Sequence, residues 1–313
     1  MKSRFLFSAA ALAASALLLS GCAAGSSADA GAGSTSDGAS DSGGVRVVAS
    51  TNVYGSIAEL VGGDFVDVTS LIDSPDQDPH EYQADARNQL ALSKAQIVIE
   101  NGGGYDDFID TMLAAADNPD AVVLNAADLS GYDQEPAEGE FNEHVWYDFP
   151  TVSKVVDQLV TELSAADPAE ASVFQANGAS VKTQLETLES TAEELKTTAA
   201  GTGVAITEPV PLYLLDSVGL DNKTPDAFSE AVEEDTDAPA IVLQDTLALF
   251  DSKQVSLLVY NAQTGGPQTD ALVEAAKKNG IPSVAVTETL PDGDDYFTWM
   301  TGNLDAIAEA LAQ

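Results

Sequence analysis

The sequence predicts an α/β protein of two lobes, each a mostly parallel sheet flanked by helices, joined by one long backbone helix. Three observations carry this expectation. Short apolar runs alternate with helical periods through both halves of the chain, the pattern of parallel sheets covered on both faces. The stretch from Val45 to Gln313 is longer than a typical single domain. Between the halves, Pro168 to about Thr198 contains no proline, and Val181, Leu185, Leu188 and Leu195 recur at helical spacing.

Residues 1–21 read as an export signal, with Lys2 and Arg4 before an apolar run from Phe5 to Leu19 that is short for a membrane span. Leu19-Ser20-Gly21-Cys22 resembles a bacterial lipobox, which implies cleavage before Cys22 and lipidation of its sulfur. Plain secretory cleavage after Gly21 is the alternative. Cys22 is the only cysteine, so no internal disulfide can form and core burial must hold the fold. Residues 22–44, rich in Ala, Gly, Ser and Asp, have no hydrophobic period and read as a flexible tether.

Residues 45–165 are expected to form the N-terminal lobe. Val45–Ser50, Val66–Leu71, Ile97–Ile99 and Val122–Leu124 read as strands, and Ser56–Val61, Ala86–Ser93, Tyr105–Ala115 and Thr151–Leu163 as helices. Residues 166–200 form the linking helix. At near 30 residues it would span about 45 Å, with Gly178 its weak point at roughly 1 kcal/mol relative to alanine. Residues 201–313 repeat the α/β pattern: strands at Val204–Ile206, Val255–Tyr260 and Pro282–Val286, helices at Pro225–Glu233, Pro239–Phe250, Thr269–Lys278 and Tyr296–Leu311.

The formal net charge is −39, and −41 once Lys2 and Arg4 leave with the signal. Such acidity argues against nucleic acid and anionic lipid headgroups as partners. Against this background, the chain has only two histidines, and imidazole is the commonest protein ligand for transition metals. His80 lies in a polar loop after the Val66–Leu71 strand, and His144 follows an acidic stretch just before Pro150. Glu208 and Glu288 each come immediately after a second-lobe strand. Ligands of open parallel sheets collect at such carboxyl ends, so two donors from each lobe would meet in the cleft. Two neutral imidazoles and two carboxylates would neutralise one divalent cation. The donor set suits manganese, iron(II) or zinc.

Taken in order, Val47-Val48-Ala49-Ser50, Asp78-Pro79-His80-Glu81-Tyr82, Glu143-His144-Val145-Trp146-Tyr147-Asp148, Thr207-Glu208-Pro209 and Val286-Thr287-Glu288-Thr289 resemble the ZnuA-like solute-binding proteins, the zinc- and manganese-type receptors of bacterial ABC importers. The resemblance covers nearly all of Val45 to Gln313. It implies ligation by His80, His144, Glu208 and Glu288, with glutamate at position 288 where the family usually has aspartate. It also implies a zinc or manganese ion as cargo, an ABC permease with its ATPase acting indirectly as partners, and a monomer held at the outer leaflet of the cytoplasmic membrane through Cys22. Many zinc receptors of the family carry a histidine-rich loop before the second ligand. Here Asp133 to Glu143 has four glutamates and no histidine, which reads first as a solvated acidic loop. Trp146, Tyr147 and Tyr82 read as lobe packing or as groups orienting the ligands.

Two other readings remain open on sequence. A metal-dependent hydrolase would want His-Glu-x-x-His, but Ala84 stands where the second histidine belongs, and no Gly-x-Ser-x-Gly elbow occurs. An adhesive surface lipoprotein would need no metal.

Overall fold

The computed structural model of the chain describes residues 43–74, 82, 85–137 and 139–313. Cys22, His80 and all of the signal lie outside the described residues, as does nearly all of the tether. The first sheet consists of β1 (Val45–Thr51), β2 (Val66–Ile72), β3 (Ile97–Glu100) and β4 (Val122–Asn125), all parallel, in the order β2-β1-β3-β4. The second consists of β5 (Gly203–Ile206), β6 (Asp221–Asn222), β7 (Leu257–Asn261) and β8 (Ser283–Val286), again parallel, in the order β6-β5-β7-β8. The two sheets thus share one strand order. In each, the chain leaves the first strand to one side and returns on the other, which opens a crevice at the carboxyl ends of the strands.

Burial explains which strands were readable. The central strands β1, β3, β5 and β7 are almost wholly buried and carry continuous apolar runs. Edge strand β6 has two polar residues and no apolar signature; the sequence offered no strand there. Helices α1 (Asn52–Gly62), α2 (Ala86–Leu92), α3 (Phe108–Ala116), α4 (Ala126–Ser130) and α5 (Phe149–Ala166) serve the first sheet. Helix α3 starts later than the expected Tyr105 because the buried Asp106 carboxylate accepts from the amides of Asn101 and Gly102, at 2.7 and 2.8 Å, and fixes a turn there. Helix α5 starts two residues early, capped by Asp148, which accepts from Thr151 N at 3.1 Å, with Pro150 in the first turn.

The linking helix, α6, runs unbroken over Ala171–Ala199. Gly178 therefore does not break it, and packing gives the reason. A Cβ on Gly178 would lie 2.4 Å from Cγ2 of Val160 on α5, so glycine permits the close approach of the two helices. The second lobe adds α7 (Leu212–Val218), α8 (Asp226–Glu233), α9 (Ala240–Asp251), α10 (Pro267–Asn279) and α11 (Tyr296–Leu311). Among the described residues no helix is long and apolar enough to cross a membrane.

The lobes are tied by more than α6. One apolar cluster runs from β1 and α1 through α5 and α6 into β5, α7, β8 and α11. Helix α11, grouped with the second lobe by sequence, packs on α6 and α1. Polar ties cross the same boundary. Asn52 exchanges two hydrogen bonds with the backbone of Leu290, at 3.1 and 2.9 Å, and the Tyr296 hydroxyl donates to Trp146 O at 2.7 Å.

The Gly178 contact can be tested. Gly178→Val forces a β-branched side chain against Val160, and overpacking of this kind costs about 1–3 kcal/mol. The urea midpoint of the variant is expected to fall by a matching amount. An unchanged midpoint would show that the α5–α6 contact tolerates the added volume.

Candidate metal centre

The second-lobe half of the site follows from strand register. Val259 on β7 pairs with Ile206 on β5, and Asn261 pairs with Val286 on β8. Glu208 and Glu288 each lie two residues past these partner strands, so the central strand places Asn261 between them. Its amide nitrogen Nδ2 donates to Glu208 Oε2 at 2.6 Å and to Glu288 Oε1 at 2.7 Å. Asn261 is itself fixed: its backbone N–H donates to Thr207 Oγ1 at 3.1 Å and its Oδ1 accepts from Gln263 N at 3.0 Å. Gln263 Oε1 then accepts from the amides of Glu288 and Thr289, at 2.6 and 3.0 Å. Glu208 and Glu288 are 2% and 3% exposed.

The first lobe supplies His144, fully buried at the start of the 3-10 turn Val145–Tyr147. The imidazole packs edge-on to Trp146 and Tyr105, with centroids 5.0 and 6.0 Å away. Its Nδ1 lies 2.7 Å from Asn142 Oδ1. With the asparagine oxygen accepting, Nδ1 carries a proton, and Nε2 is the nitrogen left to face Glu233. Asn142 is held from the second lobe, since its Nδ2 donates to Pro209 O and its carbonyl accepts from the Tyr213 hydroxyl, at 3.2 and 2.8 Å. From the first lobe, Asn101 Nδ2 donates to Glu143 O at 2.8 Å.

His144, Glu208 and Glu288 are all buried and interact electrostatically with one another, but among the described residues no group of three donors that includes Glu208 or Glu288 brings its ligand atoms within 4.8 Å; the fourth predicted residue, His80, is outside the described residues. Two further carboxylates join them. Glu233, the last residue of α8, brings Oε1 to 3.2 Å from His144 Nε2. Glu143, His144 and Glu233 each offer a ligand atom, and these atoms lie within 4.8 Å of one another. Neither glutamate was picked out by sequence as a donor. Glu233 sits in Glu233-Glu234-Asp235, a run that looks like a solvated helix end. Asn261 was missed as well, although a polar residue closing the apolar run Leu257–Tyr260 is a detectable signal. Trp146 and Tyr147 are buried beside the cluster, and the Tyr147 hydroxyl donates to Thr287 O at 2.7 Å. Tyr82 instead packs on Phe108 and donates to Leu71 O at 3.1 Å.

The electrostatics are one-sided. Burial lowers the His144 pKa, but Glu233, Glu143 and Glu288 outweigh it and hold the imidazole at about 10. Burial, then Glu233 and Glu288, push Glu208 up to about 8 against the Asn261 amide and His144. Negative charge is thus concentrated around one imidazole out of water, where a cation is the natural counterweight. From this cluster a cleft of about 460 Å³ opens between Gly139–Glu143 and α8, with Glu140, Glu143, Glu230 and Glu233 on its walls.

The family model for the zinc-uptake complex component A periplasmic proteins matches residues 47–310. The manganese-binding lipoprotein MntA of Halalkalibacterium halodurans is 25% identical over 300 residues, covering 91% of this chain and 94% of its own. Among solved structures, the periplasmic zinc-binding protein TroA from Treponema pallidum matches with a TM-score of 0.73 at 19% identity, over 87% of this chain and all of that one. The protein FpvC from Pseudomonas aeruginosa, solved in complex with Mn2+, matches with a TM-score of 0.70 at 21% identity, over 86% of this chain and 98% of that one. These structural likenesses establish the two-lobe α/β fold. With a family match that spans residues 47–310, the chain belongs to the ZnuA family, described as zinc-uptake complex component A periplasmic proteins.

Proposed function

We propose that this protein captures one divalent transition metal ion, zinc or manganese, outside the cytoplasm and delivers it to an ABC permease. The observations that support the reading are the buried imidazole of His144, coupled electrostatically to Glu208 and Glu288, and the binding of both glutamates by the Asn261 amide. His80, from the Asp78-Pro79-His80-Glu81 motif, is proposed as the fourth donor. The relatives named above as manganese-binding and zinc-binding support the same cargo class. The lobe boundaries at 165 and 200, the monomeric state, and anchorage to the outer leaflet through a lipid on Cys22 belong to this proposal. Since the family is one of uptake components and not of enzymes, carriage takes the place of the hydrolase alternative.

In mechanism, the chain's own groups set the terms of capture. Asn142 fixes which imidazole nitrogen is left to coordinate, and Asn261 holds the carboxyl groups of Glu208 and Glu288 to one amide nitrogen. A divalent ion then supplies the positive charge that the cluster lacks. The shared core and the Asn52–Leu290 tie limit the change between loaded and ion-free states to small shifts of the lobes, which a permease would have to read.

Three outcomes test this reading. Calorimetric titration is expected to give a stoichiometry near one ion, with binding reduced sharply in His144→Ala and Glu208→Ala; parent-like affinity in Glu208→Ala would remove the second lobe from the site. Asn261→Ala leaves the proposed donors in place but unoriented and is expected to weaken binding about 10–100-fold, as outer hydrogen-bond partners of ligands do. The sign of the pH effect is also fixed. Without an ion, both Glu208 (about 8) and His144 (about 10) hold protons at pH 7, and both must lose them to coordinate. Binding at pH 7 should therefore release protons, and affinity should rise from pH 6 to 8. Titrations in buffers of different ionisation enthalpy read this directly, and proton uptake on binding would contradict it.

A further inference from the structure

The family resemblance accounts for four donors and leaves Glu233 without a role. Yet the side chain of Glu233 is only 11% exposed, and its Oε1 lies 3.2 Å from Nε2 of His144, the ring nitrogen that Asn142 leaves available. Two donors bound to one ion at 2.0–2.2 Å, at angles between square and tetrahedral, lie about 3.0–3.4 Å apart. The observed 3.2 Å, an ion-pair distance without an ion, also falls in the range that a shared ion would keep.

A second observation points to the same place from the other side of the cluster. Glu208 is 2% exposed, and among the described residues its Oε1 has no hydrogen-bond partner. It interacts electrostatically with both Glu233 and His144. Without an ion a proton answers that buried carboxyl oxygen, and a bound cation would take the proton's place. The position of Glu233 is also costly for a merely structural acid. It is the last residue of α8, followed by Glu234 and Asp235, so three acidic residues crowd the negative end of a helix dipole. An ion between Glu233 and His144 would relieve that crowding.

We propose, building on the metal-capture reading above, that Glu233 is an additional carboxylate ligand of the bound ion. With His144, Glu208 and Glu288 it makes a shell in which oxygen donors outnumber nitrogen. Extra carboxylate raises the coordination number and shifts preference toward manganese over zinc. Glu233 is then the residue of this chain that sets its selectivity.

The test compares the full-length protein with Glu233→Gln, Glu233→Ala and His144→Ala, using melting of the ion-free forms to confirm that each is folded. Mn2+ and Zn2+ affinities come from competition titrations, and the absorption spectrum of the Co2+-loaded protein reports coordination number. The parent should give the weak bands of a shell with more than four donors, and both Glu233 variants the stronger bands of a smaller shell. Mn2+ affinity should fall about tenfold or more in these variants, with a smaller loss for Zn2+. Unchanged or tighter Mn2+ binding in the Glu233 variants would overturn the proposal, leaving Glu233 as an ion-pair partner of His144 alone. A weaker affinity with an unchanged Co2+ spectrum would also overturn it, since that is the mark of a nearby charge that does not ligate. Parent-like binding in His144→Ala would instead sink the underlying two-lobe site, and the Glu233 proposal with it.

Discussion

The Asn261 amide holds two buried carboxylates, Glu208 and Glu288, by donating to both from one nitrogen. Left alone, two carboxylates so close in a site of low dielectric would repel, and one would protonate or turn outward. The amide offsets part of that repulsion, and its own fixation by Thr207 and Gln263 keeps it from yielding. Much of the second lobe exists to set this geometry. Strand β7 must lie between β5 and β8, in the register that pairs Asn261 with Val286. The residual negative charge is then a stored demand for a cation, and the protein meets it with an imidazole presented from the other lobe.

That presentation depends on the lobes not drifting apart. Binding proteins that work by wide hinge closure need a thin connection, whereas here the apolar cluster is continuous across the boundary. His144 is gripped from both sides: Asn101 of the first lobe fixes Glu143 O, while Pro209 and Tyr213 of the second engage Asn142. A site pinned in this way favours preorganised geometry over large motion. On the proposed reading, small displacements that spoil the donor arrangement would release the ion, and protonation of Glu208 and His144 would act in the same direction.

Much of this was legible before any coordinates. Buried central strands advertise themselves as apolar runs, and donors directly after such strands fall at one end of the sheet. That rule singled out Glu208 and Glu288, and rarity and motif singled out His144; all three are buried, and their role as donors belongs to the proposal. The features that escaped lack a local signature. Strand β6 is two polar residues held by pairing to β5. Helix α7, seven residues just after Pro209 and Pro211, was not among the expected elements. Glu233 is one acid among many in a chain of charge −39, and only the packing of α8 brings it to His144. The linking helix is single as expected, and the reason for glycine at 178 lies in the neighbouring helix, where Val160 leaves no room for a Cβ.

The central claim is that donors from both lobes share one ion, and X-ray absorption at the metal edge of the Mn2+-loaded protein tests it most directly. The account predicts imidazole scattering and a carboxylate shell around the same ion, with the imidazole contribution reduced in His144→Ala. An all-oxygen shell without imidazole, equal in parent and variant, would contradict it.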